Sequence, residues 1–406
     1  MKLKLNLHSA RLIIIIVLLV VVAGWTGFWL GTHQFQIDFS QKSIVKIDRK
    51  IPANKQDVDF ALFWEVWDRL EENYLNKEAI DPAQMVFGAI QGMVASLGDP
   101  YTVFLKPPEN KEVKEDLNGA FEGVGIQLGY KDDQLVVIAP LKGTPADKAG
   151  VKAGDLILKI NEEAANDLSA DEAAQKIRGP KGTKVKLTLL HSGEKESYEV
   201  EITRETIIVS SVEVDFLSDN GQTVAHLRLL KFGDRTAEEW KKAVSQILDY
   251  QPQVKGIVLD LRNNPGGYLT GSVFIASEFL SSGIIVQQEQ ASGFKETYSV
   301  DRQGELLTQP LAVLINEGSA SASEIVAGSL RDHQRAKIVG TKSFGKGTIQ
   351  EAEDLPGGAG LHITTARWLL PSGESVDEVG LKPDVEIKDD PETETDEQLA
   401  KAIEAL

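Results

Sequence analysis

Between Leu12 and Leu30 the chain carries no charged residue, and the run includes Ile13-Ile14-Ile15-Ile16 and Val20-Val21-Val22. At about 1.5 Å per residue such a run, made helical, reaches roughly the 30 Å of a bilayer's hydrocarbon core. Lys2, Lys4 and Arg11 precede it. Basic residues before a span place the N-terminus in the cytoplasm and everything after Gly31 outside. A cleaved signal peptide ending at Val21-Val22-Ala23 is the alternative reading. Against it, Trp25, Phe28 and Trp29 prolong the apolar stretch to where an interfacial aromatic belt would lie. The expectation is a single uncleaved transmembrane helix over 12–30 in the cell membrane, with 31–56 as a polar tether and the rest extracytoplasmic.

A chain of 406 residues exceeds one compact core, so two or three folded units follow the anchor. The net charge of −18 repels phosphate backbones, and no basic stripe with interleaved aromatics occurs, which excludes nucleic acid as a partner. There is no cysteine. That removes thiol nucleophiles, thiolate zinc, iron–sulfur clusters and disulfides together. The histidines His8, His33, His191, His226, His333 and His362 are scattered, without H-E-x-x-H spacing, so neither metal nor organic cofactor is expected.

From Asp57 to Leu97 the pattern is helical: Phe60, Phe63, Trp64, Trp67 and Leu70 recur three or four apart, and Val86, Ile90, Met93 and Val94 form a second stripe. Most of these positions read as core. The segment 57–105 is taken as a helical N-terminal region. Over 106–205 short β-like runs alternate with turns, among them Leu135-Val136-Val137-Ile138 and Val185-Lys186-Leu187-Thr188-Leu189. Over 206–388 buried-looking strands at Ile257–Leu261 and Leu311–Ile315 are each followed by a helix, the layered α/β pattern. An acidic tail and a short amphipathic helix fill 389–406.

Gly123-Val124-Gly125-Ile126 is a glycine loop running into a strand. Converging backbone N–H groups there suit a peptide's terminal carboxylate, and the strand can accept an extended peptide along its edge, with Val124, Ile126 and Leu128 lining its pocket. The loop alone is equally a tight turn. Downstream, Gly143-Thr144-Pro145-Ala146-Asp147-Lys148-Ala149-Gly150-Val151-Lys152-Ala153-Gly154-Asp155-Leu156-Ile157-Leu158-Lys159-Ile160-Asn161 resembles the hallmark segment of bacterial PDZ domains.

In the α/β region the strand ending at Ile315-Asn316 runs into Ser319-Ala320-Ser321-Ala322-Ser323, and Ile325, Val326 and Leu330 keep helical spacing after it. A hydroxyl at such a strand-to-helix turn sits at the positive end of the helix dipole, where free N–H groups can hold an oxyanion. Serines also favour caps, so the turn alone does not decide. Further on, Phe344-Gly345-Lys346-Gly347 offers a base, because a buried lysine can be neutral enough to activate a serine. Gln350, four residues later, would share a face with Lys346 if the stretch is extended, and could orient its amine.

Together with Leu97-Gly98-Asp99-Pro100-Tyr101-Thr102, Asp260-Leu261-Arg262-Asn263-Asn264-Pro265-Gly266-Gly267, Thr365-Ala366-Arg367-Trp368 and Gly380-Leu381-Lys382-Pro383-Asp384-Val385, these motifs resemble the carboxyl-terminal processing peptidases of the S41 family. The resemblance runs from about residue 60 to the end. It implies a multidomain α+β fold with a PDZ-like domain inserted before a crotonase/ClpP-like α/β protease core. It implies a serine endopeptidase acting on unfolded or tail-exposed proteins, with Ser321 as nucleophile, Lys346 as base and Gln350 as the orienting third member. Gly267, in preference to Gly266, and Ala322 would supply the oxyanion amides. Arg178, at the end of a PDZ helix, would couple peptide occupancy to assembly of the active site. Self-association through the 57–97 helices and the C-terminal helix is implied too. Asp260 and Arg262 read as structural. The competing readings are a non-catalytic membrane-anchored PDZ adaptor that captures C-termini, and a Ser/His/Asp hydrolase using His333 or His362.

Overall fold

The computed structural model describes residues 59–406 apart from 132, 133, 167, 192, 220, 391, 392 and 394. The apolar run 12–30 and its tether lie outside the described residues. Among the described residues no helix is long and apolar enough to cross a membrane.

The chain divides into two units, the second starting at Ile90. The first holds α1 (Ala61–Asn73), a single 3-10 turn (Lys77–Ala79) and most of α2 (Pro82–Ala95). The stripe on α1 was expected to be core, yet only Trp67 is buried, while Phe60, Leu62, Val66 and Leu70 are exposed. Periodicity marks which face of a helix is apolar, not what covers it. Phe63 and Trp64 instead pack edge-on, 4.9 Å between ring centroids.

The second unit opens with β1 (Val103–Leu105), α3 (Pro107–Asn118) and β2 (Ala120–Gly123). A small β-rich body follows: β3 (Ile126–Lys131), β4 (Gln134–Pro140), α4 (Pro145–Lys148), β5 (Leu156–Ile160), β6 (Glu163–Ala164), α5 (Ala170–Ile177), β7 (Lys184–Leu190) and β8 (Tyr198–Thr203). Its sheet runs β3-β4-β5-β7-β8, so β3 is an edge strand. Helix α5 starts on a capping box, in which Ser169 Oγ accepts from Glu172 N–H and Glu172 accepts from Ser169 N–H. Val137, Leu187, Leu189 and Ala173 are fully buried at the centre of this body. The chain leaves it through β9 (Glu205–Ile208), which pairs back onto β2 as a two-stranded ribbon.

The remainder adds β10 (Val212–Asp219), β11 (Gln222–Leu229), α6 (Thr236–Asp249), β12 (Gly256–Asp260), α7 (Leu269–Ala276), β13 (Ile284–Gln290), β14 (Lys295–Ser299), β15 (Leu311–Ile315), α8 (Ala322–Asp332), β16 (Lys337–Gly340), β17 (Thr348–Asp354), β18 (Gly360–Leu369), β19 (Val385–Glu386) and α9 (Glu397–Glu404). One sheet runs β10-β11-β12-β15-β16-β19, parallel from β11 onward. Every residue of β12 and β15 is buried, as befits strands covered on both faces. Alternation decides which face each side chain takes. Ile257, Leu259, Val313 and Ile315 join Trp240, Ile275 and Ile325 from the helices. Val258, Ala312 and Leu314 meet Ala402 and Leu399 of α9. Each fully buried Val, Leu or Ile among them contributes roughly 1.5–3 kcal/mol. Helix α9 therefore spends its apolar face on its own sheet.

A second, antiparallel sheet runs β1-β18-β13-β14, with β17 also on β18. Strand β1 pairs with β18, and Asn110 of α3 donates to Asp354 and to the Gly358 carbonyl. Residues 103–118 thus pack on strands of the 206–388 region.

Candidate active site

Ser321 caps α8 at the carboxyl end of β15, where open α/β sheets place their ligands. Its φ of 54° and ψ of −114° are an unusual conformation for a residue with a Cβ, one that persists only where surroundings enforce it. The neighbouring serines do the enforcing. Ser319 Oγ donates to the Leu261 carbonyl (2.8 Å), and Ser323 Oγ donates to the Asn264 carbonyl (2.9 Å). Both are fully buried, whereas Ser321 is half-buried. The same Asn264 carbonyl also accepts from Ala320 N–H. The outer two hydroxyls of the run are thus tied to the Leu261 and Asn264 carbonyls, and the middle serine is the more exposed.

The facing turn is Asn263 to Gly267. Asn264 is fully buried; its amide donates to the Leu229 carbonyl (2.6 Å) and accepts from Gly266 N–H (2.9 Å). A Cβ on Gly266 would fall 2.9 Å from Ser321 Cβ and 3.1 Å from Ala322 N, so this turn lies directly against the Ser321 turn. Gly266 N–H is occupied, but neither Gly267 N–H nor Ala322 N–H has an acceptor among the described residues. Those two amides are free to receive an oxyanion.

The Lys346 loop meets the Ser321 turn at one carboxylate. Glu324 is fully buried in the first turn of α8. It accepts from Ser321 N–H (2.7 Å), Gly345 N–H (2.7 Å), Lys346 N–H (3.0 Å) and Ser343 Oγ (2.6 Å). Burial raises its proton affinity, with those donors opposing. Behind the loop, Trp368 Nε1 donates to the Lys346 carbonyl and Asp377 accepts from Gly347 N–H. The amine itself stands 5.0 Å from the centroid of the Tyr101 ring. Burial lowers its proton affinity, while the charges of Asp99 and Glu324 act in the other direction. His362 on β18 is pushed below its ordinary value by burial and then by the Lys346 charge.

Gln350 does not reach the amine through its amide nitrogen, which donates to Thr348 (2.9 Å) and Thr364 (3.1 Å). Lys346 lies before β17 begins at Thr348, so the strand alternation that would have put both side chains on one face does not extend to it. His333 caps the far end of α8, bonded to the Ile284 carbonyl. His226 is bonded to Asp260.

Asp260 and Arg262 form a buried clamp beside the glycine turn. Burial raises the Asp260 carboxyl, but hydrogen bonds from His226 and Arg262 outweigh it and hold the group at about 2. Arg262 also donates to both carboxylate oxygens of Asp396 (2.9 and 2.8 Å), which in turn caps α9 through Leu399 N–H (2.8 Å).

In the β-rich body, Gly125 has φ 79°, and any Cβ there would overlap Thr144. Its carbonyl accepts from Leu141 N–H, and that of Val124 from Ala146 N–H. The loop is therefore tightly tied. The Val124 side chain, expected in the peptide pocket, is buried in the core instead. Gly123 lies in β2, and Ile126 and Leu128 are half-buried on the free edge strand β3, with α5 alongside. Arg178 caps α5, bonds Glu112 of α3 (2.9 Å) and stacks over Phe121 at 5.0 Å.

The sequence reading missed Glu324, Asp396 and Tyr101. Glu324 had a signal, since Ser321-x-x-Glu324 is a capping-box pattern. The other two depend on contacts that no local spacing announces.

Family models match three stretches: peptidase family S41 over 223–387, the PDZ domain over 112–190, and the activating protease CtpB N-terminal domain over 20–107. The chain is 33% identical over 373 residues to the carboxy-terminal processing protease CtpA of Bacillus subtilis, covering 92% of this chain and 76% of that protein. It is 36% identical over 361 residues to the carboxyl-terminal-processing protease of Synechocystis, covering 88% and 83%. A solved S41 protease structure from Bacteroides fragilis shares the fold, with a TM-score of 0.55 at 17% identity over 88% of this chain and 98% of that one.

Proposed function

The chain belongs to peptidase family S41, and from that premise we propose that it is a C-terminal-processing serine peptidase in which Ser321 is the nucleophile and Lys346 the general base. Neutral Lys346 takes the Ser321 proton, and the alkoxide attacks the peptide carbonyl. The Gly267 and Ala322 amides stabilise the oxyanion. Lys346 returns the proton to the leaving amine, and water then hydrolyses the acyl-enzyme. No step of this scheme draws on a cofactor.

The observation that carries the reading is the Glu324 carboxylate, which joins the Ser321 and Lys346 backbones within one buried set of hydrogen bonds. Holding both partners in fixed relation supplies much of the rate advantage of an intramolecular base. Gln350 keeps a supporting part through Thr348 and Thr364 at the edge of the lysine's surroundings. Protein tails enter as an added strand on β3, with the Gly123–Ile126 loop receiving the terminal carboxylate. Arg178 leaves Glu112 when the groove is filled and so reports occupancy to α3. The 12–30 run anchors the protein in the cell membrane with the peptidase outside, the exposed apolar side of α1 serves self-association, and the core is of the crotonase/ClpP type.

The test follows cleavage of an unfolded protein with a free apolar C-terminus beside its amidated form. Ser321→Ala and Lys346→Ala should each lower kcat by on the order of 10⁴-fold or more. The amidated substrate should be cut more slowly by wild type. Binding without cleavage in every form would instead favour the adaptor.

A further inference from the structure

Tyr101, on a segment the two-residue scheme does not use, faces the Lys346 amine at 5.0 Å from its ring centroid, inside the ~6 Å reach of a cation–π contact. That segment is held firmly. Tyr101 N–H donates to Asp99 Oδ1 (3.0 Å) and Thr102 Oγ1 to Asp99 Oδ2 (2.6 Å). Thr102 Oγ1 accepts from Thr364 N–H (3.0 Å), which fixes the segment to β18. Thr364 Oγ1 accepts from Gln350, so one run of hydrogen bonds joins Gln350, Thr364, Thr102 and Asp99 to the backbone of Tyr101.

We propose that Tyr101 is a positioning residue for the base, its ring face docking the Lys346 ammonium and so holding a long, flexible side chain beside the nucleophile turn. The inference rests on Lys346 being the base. A lysine has several rotatable bonds, and a docked head group removes most of that freedom before substrate arrives. The contact also has a sign. A ring face attracts a cation and not a neutral amine. Docking therefore favours the charged form and loosens on deprotonation, which frees the nitrogen lone pair for the Ser321 proton. Burial works the other way, favouring the neutral amine. The other charged groups around the pair are Asp99 from the same segment, Glu324 from α8, His362 from β18, and Asp377 and Glu378 from the loop after β18.

The experiment is the pH dependence of kcat and KM for the full chain and for Tyr101→Phe, Tyr101→Leu and Lys346→Ala. Phe keeps the ring face and should stay within about twofold of wild type throughout. Leu keeps the apolar cover but loses the ring, so the acid limb of the profile should move down by ~0.5–1 pH unit. Its plateau kcat should fall roughly tenfold with KM unchanged, as a loss of positioning requires. A merely structural tyrosine would lower Tm without moving the acid limb. A Leu profile superimposable on wild type overturns the proposal, as does a Phe variant that falls as far as Leu. Activity surviving in Lys346→Ala would remove the base assignment and this inference with it. An inactive Lys346→Ala beside an unshifted Leu variant would remove this inference alone.

Discussion

The Ser321 turn and the β3 edge are built by opposite means. The turn is closed by buried side chains. Ser319, Ser323, Asn264 and Glu324 each bond a backbone group far along the chain, and together they impose a positive φ on the serine. On the β3 side the strand lies at a sheet edge, its loop is shaped by glycine and carbonyl bonds, and one side has no strand partner among the described residues. Chemistry needs atoms held to a fraction of an ångström, whereas a tail reader that takes many sequences needs a backbone template and little else.

That contrast can be broken from either side. Glu324→Ala should have the largest effect, because it strands the Ser321, Gly345 and Lys346 amides and the Ser343 hydroxyl at once. A loss of roughly 3–5 kcal/mol in urea unfolding is expected, with activity near background. Glu324→Gln, which keeps an acceptor, should recover most of the stability. If Ala were as stable as wild type, the turn would not be held by this carboxylate. On the groove side, Gly125→Val forces a Cβ into Thr144 and should displace the loop. Here KM for free C-termini should rise about tenfold while kcat and cleavage of amidated substrate hold, since only terminal recognition is touched. A fall in kcat for both substrates would mean that groove and turn are not separable. The smallest effect belongs to Arg178→Ala. Its ion pair with Glu112 is half-exposed and contributes only about 0–1 kcal/mol to stability. The difference should lie in peptide-stimulated turnover, and stimulation identical to wild type would release Arg178 from any coupling role.

Much of this organisation was legible beforehand. The buried runs at Ile257–Leu261 and Leu311–Ile315 are parallel strands, each followed by a helix, because continuous apolar stretches flanked by turns suit a sheet covered on both faces. The glycine loop before Ile126 does lead into an edge strand. The choice among Ser319, Ser321 and Ser323 was not legible from local pattern, since it depends on carbonyls 58 and 59 positions away. The shared face of Lys346 and Gln350 was conditional on an extended stretch, and β17 begins only at Thr348, a boundary that residue types alone do not give. The apolar stripe of α1 was read as core on periodicity alone, which says which face is apolar but not what covers it.

The clamp between Arg262 and Asp396 carries a consequence for how the molecule assembles. The guanidinium sits next to Asn263, and its bidentate partner lies 134 residues downstream. Closing so long a loop costs entropy that only the finished sheet and its last helix can offset. The turn carrying Gly266 and Gly267 beside Ser321 is therefore expected to become rigid late, and in a refolding time course proteolytic activity should lag behind secondary structure.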